Sequence, residues 1–279
     1  INVKTDQLSL IGTLSGSTVG ITRYNGGPEL QLGVGATDAT GATPSLGITD
    51  TELSNITATT YRFGDTVSEG GLRLTGPISL GAGKTLSLLT STVNSSQIVQ
   101  NTGATITADY LRTEGTAVTL TETNMVGTLA GKTKGQAFSF KNGQALTIGT
   151  ADGQAGVDAS QSTQNVTLLT TGGGISGTDP IKGGVLDITA AGNASLMGAN
   201  AVTGFKADVS SSTVKSDVFF KNTQSLNIAA GGINSYTLLG DVGLWLTSGD
   251  LTQSGLVSGN SLVVRADQGN VTLTQPNAF

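Results

Sequence analysis

The chain has 279 residues and a net charge of −5, with 41 glycines, no cysteine, no histidine and only 12% charged residues. An ordinary soluble domain carries roughly a quarter charged residues and about 7% glycine, so polarity here must come from Thr, Ser, Asn and Gln. That balance excludes disulfide stapling and thiol or imidazole chemistry, and the 14 Lys plus Arg, scattered singly, leave no electrostatic footprint for nucleic acid.

Short polar and β-branched residues suit exposed strand positions, and long helix formers are scarce, so the composition predicts an all-β chain. Nothing resembling a linker or charge block divides it, which predicts one continuous unit over 1–279. No apolar stretch approaches the ~20 residues that span a bilayer. The chain starts at Ile1 without a signal-like segment, so any export signal is expected outside it. The lack of cysteine suits a polypeptide that crosses bacterial membranes unfolded.

In chain order, residues 1 to 45 are broken by Gly26-Gly27-Pro28 and by the Gly/Ala/Thr-rich stretch from Gly33 to Pro44, which predicts larger turns or an extra flap. From there a short pattern dominates: apolar, polar, apolar, closed within a few residues by Gly, Asn, Ser or Asp. It runs through Leu72-Arg73-Leu74, Leu86-Ser87-Leu88, Val118-Thr119-Leu120, Phe138-Ser139-Phe140, Leu146-Thr147-Ile148 and Val166-Thr167-Leu168. It continues in Leu186-Asp187-Ile188, Leu226-Asn227-Ile228, Leu244-Trp245-Leu246, Leu262-Val263-Val264 and Val271-Thr272-Leu273. Alternation puts the outer members on one face and the middle residue on the other. Strands this short become stable when an equivalent strand pairs above and below, which predicts a single-stranded right-handed parallel β-helix, a solenoid.

A longer repeat lies over the triplets. The stretch Val118 to Val126 returns at Ala194 to Val202 and at Val271 to Phe279, which sets Asn124, Asn200 and Asn277 at nearly equal intervals. Phe138 to Ile148 returns as Val218 to Ile228 after a slightly longer interval. The supra-repeats are approximately 118–193, 194–270 and a truncated 271–279, each full copy read as about four coils of ~20 residues. The three asparagines are expected at corners, in left-handed backbone conformations. Since earlier copies continue past the point where Asn277-Ala-Phe279 ends, the sequence reads as an excerpt.

At this point the residues resemble a family, the filamentous haemagglutinin-like adhesins of two-partner secretion and the related giant autotransported β-helix surface proteins. The likeness is carried by Leu46 to Ala58 followed by Tyr61 to Asp65, by Gly76-Pro-Ile-Ser-Leu80 leading to Lys84 to Leu88, by Ile98 to Gln100 leading to Ile106 to Ala108, and by Val118 to Asn124. What the resemblance implies is secretion to the bacterial cell surface, an outer-membrane transporter as partner during export, and attachment to host-cell or extracellular glycan or protein surfaces. The family's secretion domain has no match here, so the segment reads as stalk, with no catalytic residue to carry over.

Motifs that could carry chemistry fail on spacing or on number. Gly81-Ala-Gly-Lys84-Thr85 is no phosphate loop because Ile78 stands where the first glycine belongs. Asp152 and Asp158 around a Gly-rich turn, and the Gly172 to Asp179 stretch, read as solvated turns, since calcium needs six to eight oxygen ligands. A lyase-like β-helix enzyme needs converging carboxylates. Among the triplets only Asp187 takes an outward position, and Glu69, Glu114, Asp241, Asp250 and Asp267 read as turn residues. The chain is therefore expected to be no enzyme and to need no cofactor or metal. Trp245, outward in its triplet, is the candidate surface contact unless a loop or neighbouring turn covers it, and Tyr110 is a second. Phe140 and Phe220 are expected as core fillers. The rod is expected to display a binding tip, the alternative being a subunit that stacks end to end into an extracellular filament.

Overall fold

The structure, a computed structural model, describes residues 1–24, 29–39, 45–67, 70–91, 96–209, 214–235 and 239–279. The chain is all-β with a parallel, solenoid-like core. Among the described residues 24 strands form one sheet, and two more form a small antiparallel hairpin, Thr150–Ala151 with Gln154–Ala155. Strands of the large sheet pair in parallel with the strand one coil later.

The triplet rule explains the core. Val19, Tyr61, Leu86, Leu111, Leu129 and Ile148 stand in register on successive coils, and all are buried. Beside them runs an outward column: Thr18, Thr60, Thr85, Tyr110, Thr128, Thr147, Ser176, Ser195, Phe219, Gly243 and Val263. Alternation sends the same strand's neighbours to opposite sides. Phe140 and Phe220 are buried as expected, and Phe220 stacks on Phe205 with centroids 4.1 Å apart.

Several expectations change. The supra-repeat is not four coils: Val118 pairs onward to Phe138, Val166 and Leu186, and the middle of these three steps is the longest. Its sequence copy Ala194 then lies on a different column, that of Ile175 and Val218. A supra-repeat thus spans three coils and part of a fourth, and equivalent segments face different sides. The triplets Leu262-Val263-Val264 and Val271-Thr272-Leu273 form pairings but do not bury both flanks. Between residues 1 and 45, Leu14–Thr22 and Glu29–Leu32 are strands of the main sheet rather than a flap. Gly26-Gly27-Pro28 and residues 40–44 lie outside the described residues.

The repeated asparagines are not left-handed corners; none is among the non-glycine residues with positive φ. They are amides, buried at Asn124 and Asn200 and half-buried at Asn277, that stand in for missing ladder partners. The sheet register shifts between Leu120 and Asn124 and between Leu196 and Asn200, so backbone groups at that bend need other partners. Asn124 Oδ1 accepts the Ile106 N–H at 2.8 Å, Asn142 that of Val126 at 2.8 Å, Asn200 that of Ile181 at 2.8 Å and Asn222 that of Val202 at 3.1 Å. Their Nδ2 groups donate to carbonyls, as Asn200 does to Leu196 at 3.0 Å and Lys221 at 2.9 Å. All four are fully buried. Asn277 repeats the contact with the Val257 N–H at 2.8 Å.

Among the described residues one α-helix, Asp50–Ser54, and a 3-10 turn, Ser160–Ser162, interrupt the strands. Thr49 caps it and Glu52 closes a capping box, its Oε2 accepting the Thr49 N–H at 2.9 Å.

Candidate functional site

Three groups of outward side chains gather chemistry. The first contains Trp245. Register stacks Lys221, Trp245 and Arg265 on three successive coils, so the cations reach the indole from either side: Lys221 Nζ and Arg265 Cζ each lie 4.5 Å from the ring centroid. The indole N–H donates to Asp267 Oδ2 at 2.9 Å, and Arg265 Nε donates to Asp267 Oδ1 at 2.6 Å. Hydrogen bonds from Trp245 and Arg265 hold the Asp267 carboxyl below its ordinary pKa. Trp245 is therefore neither free nor covered by a loop; it is half-buried, both faces taken by its own sheet.

Beside it lies an apolar facet. Phe219 is 41% exposed, Met197 39% and Val263 66%. Gly243 sits between Phe219 and Val263 in the outward column, and a Cβ there would lie 2.7 Å from Phe219 Cδ1. The glycine thus gives the ring room to lie across the coil. Together with Trp245 these residues line an open notch of about 280 Å³. Phe219 went unread in the sequence, although Val218-Phe219-Phe220 departs visibly from Phe138-Ser139-Phe140. Tyr110, also 41% exposed, stands in the same column between Thr85 and Thr128, away from the facet.

The second group corrects the reading of Asp152 as a solvated turn residue. Asp152 (φ 43°) and Gly153 (φ 80°) form the tip of the small hairpin, which folds back over the coils of Arg112, Ser87 and Arg62. Arg62 donates through Nε at 3.0 Å and Nη2 at 2.6 Å to the Asp152 carboxylate, and Ser87 Oγ adds a bond of 2.7 Å. Arg112 Nη1 donates to the Asp152 carbonyl at 2.8 Å. Ser87, the outward member of its triplet, is consequently buried. Burial pushes the Asp152 carboxyl up, but bonds from Arg62 and Ser87 and the charges of Arg62 and Arg112 pull it further down, leaving it below its ordinary value. Glu114 is likewise no turn residue: it lies in the strand Ile106–Gly115, buried between Arg112 at 2.7 Å and Lys132 at 3.8 Å. Asp158 is not a turn residue but ends the short strand Val157–Asp158, its carboxylate accepting from the Ser160 N–H and hydroxyl of the turn that follows.

The third group is a corner where Lys215 Nζ reaches Asp241 at 2.7 Å and Asp217 at 3.5 Å. Asn260 and Ser261 also donate to Asp241; bonds from Lys215, Asn260 and Ser261 hold its carboxyl well below the usual range, while Asp241 raises Lys215. A lysine held in its charged form is a poor proton acceptor. Asp187 pairs with Lys206 at 2.8 Å, and Glu69 lies outside the described residues. Among the described residues no three His, Cys, Asp or Glu side chains come together as metal ligands, and no helix is long and apolar enough to cross a membrane.

Compared with family models, curated proteins and solved structures, the chain matches none. Its function must be argued from the geometry above.

Proposed function

We propose that the chain is a length of single-stranded right-handed parallel β-helix serving as the stalk of a secreted bacterial surface adhesin, holding a binding region away from the cell. One observation carries the reading: the outward column from Thr18 to Val263 pairs without a break over eleven coils. Backbone hydrogen bonds then run along one axis for roughly 50 Å at about 4.8 Å per coil. Coils of this kind add length while each contacts only its neighbours.

The flanks support a spacing role. Arg62, Arg73, Arg112, Lys132, Lys206, Lys215 and Arg265 are each engaged by carboxylates of their own chain, which takes half of the 14 Lys and Arg out of a non-specific grip on a polyelectrolyte. The carboxylates in these pairs, Asp187 on its outward strand position among them, are used in the same way, which speaks against the lyase-like alternative. The resemblance to filamentous haemagglutinin-like proteins supports a rod on the bacterial surface, exported through an outer-membrane transporter.

Negative-stain electron microscopy of the purified chain over a range of concentrations tests this. Isolated rods of roughly 50 Å at every concentration are expected. Compact round particles would overturn the stalk reading, and filaments growing end to end would replace it with a fibre subunit.

A further inference from the structure

We infer that the notch at Phe219, Gly243 and Trp245 is a subsite for an acidic glycan, a polysaccharide bearing uronic acids. The inference rests on the adhesive-rod reading and names the ligand of one side of that rod.

The internal repeat supplies a control. In the earlier copy the corresponding strands stack Ser139, Thr167 and Asp187 in one outward column, with Lys141, Leu169 and Thr189 in the next. In the later copy the same positions hold Phe219, Gly243 and Val263, then Lys221, Trp245 and Arg265. The framework is shared, down to Lys141 and Lys221 and the buried Asn142 and Asn222 behind them. Hydroxyls have been exchanged for an aromatic ring and a notch, and a threonine for a cation. Folding does not require that exchange, because the earlier copy closes the same sheet without it.

Size and charge select the occupant. The notch of about 280 Å³ lies at the lower edge of small-ligand sites, which run from about 300 to 1,000 Å³. A handful of half-exposed side chains falls far short of the roughly 20–30 residues per side of a protein interface, so a single sugar ring fits better than a second copy. Both faces of the indole are occupied, which leaves Phe219 as the stacking surface and Trp245 as an edge. Arg265 lines the notch and keeps 65% of its side chain exposed although its Nε is taken by Asp267, and Lys221 lies over the adjoining indole, in a chain whose net charge is −5. A pyranose C–H face on Phe219 brings a ring carboxylate towards these cations.

Trp245 is the chain's one tryptophan, so its emission reports on this site. Titration with trigalacturonate should change that emission saturably, at least about tenfold more tightly than titration with neutral galactotriose. Gly243→Thr, which installs the earlier copy's residue against the Phe219 ring and displaces that ring, should abolish the response while the chain still melts in one cooperative transition. Arg265→Thr should bring trigalacturonate to the affinity of the neutral sugar. Equal affinities, or no response, would overturn the inference. So would self-association by sedimentation that Gly243→Thr removes, because the facet would then belong to a second copy. Rods in the microscope without uronate binding sink this inference alone, and binding without rods sinks the stalk reading alone.

Discussion

Arg62 and Asp152, far apart in the chain, close a two-pronged ion pair, with Nε 3.0 Å from Oδ2 and Nη2 2.6 Å from Oδ1. Most contacts in a solenoid join adjacent coils. This one passes over the coils of Arg112 and Ser87, so the hairpin ties several coils at once. Asp152 is 13% exposed and Arg62 37%, hence water replaces part of the contact once it is broken. Asp152→Ala strands the buried Ser87 hydroxyl and leaves the Arg62 guanidinium to water, while Arg112 keeps the backbone carbonyl of residue 152 and Glu114, and a loss of about 1–2 kcal/mol is expected in urea denaturation. Arg62→Ala in the Asp152→Ala background should add little further loss, and full additivity of the two would show that they do not act together.

The same contact sets a pH dependence. The Asp152 carboxyl is held below its ordinary value of 3.8 in the folded chain, so the unfolded chain takes up a proton at higher pH than the folded one. The stability it contributes is complete above that ordinary value and is lost as the pH falls from there through the lower folded value. Stability of the wild-type chain should therefore decline more steeply than that of Asp152→Asn as acid is added below about pH 5. Parallel declines would remove Asp152 as a source of the acid sensitivity.

The buried amides make a sharper claim. Asn200→Ala leaves the Ile181 N–H and the Leu196 and Lys221 carbonyls without their partner at a place closed to water. A loss on the order of 2–4 kcal/mol follows from stranding that many buried groups. Asn277→Ala, at a half-buried position, should cost much less because water reaches it. Comparable urea midpoints for the two variants would contradict the ladder.

How much of this was legible in the sequence depends on whether a residue acts within its own coil or across coils. Period-two triplets announced the inward columns, since Leu244 and Leu246 flank Trp245 however the coils stack. The recurrence of Asn124, Asn200 and Asn277 was visible, but their task was not, because the partner N–H belongs to a neighbouring coil. Coil length varies even along one column, the step from Phe138 to Val166 being longer than that from Val118 to Phe138, so no fixed offset points to the partner. For the same reason Asp152 read as a solvated turn: its partners Arg62 and Ser87 are set by a fold-back that no local pattern encodes. The short helix had a local signal, Thr49 followed by Glu52, which the strand rhythm around it masked. Phe219 had one too, but only in the comparison of the two copies.

Trp245 links stability to the facet. Leu169 occupies the matching place in the earlier copy, so Trp245→Leu should fold, losing two cation–π contacts worth about 0.5–1 kcal/mol each at exposed sites and the indole bond to Asp267. The two cation–π contacts alone make the expected loss about 1–2 kcal/mol. Lys221→Met and Arg265→Met should each cost less than Trp245→Leu, and each should become nearly silent in the Trp245→Leu background, which a double-mutant cycle by urea denaturation measures. If both cations kept their full effect without the indole, the stack of Lys221, Trp245 and Arg265 would be proximity without energy, and the half-buried tryptophan would owe its place to the apolar facet alone.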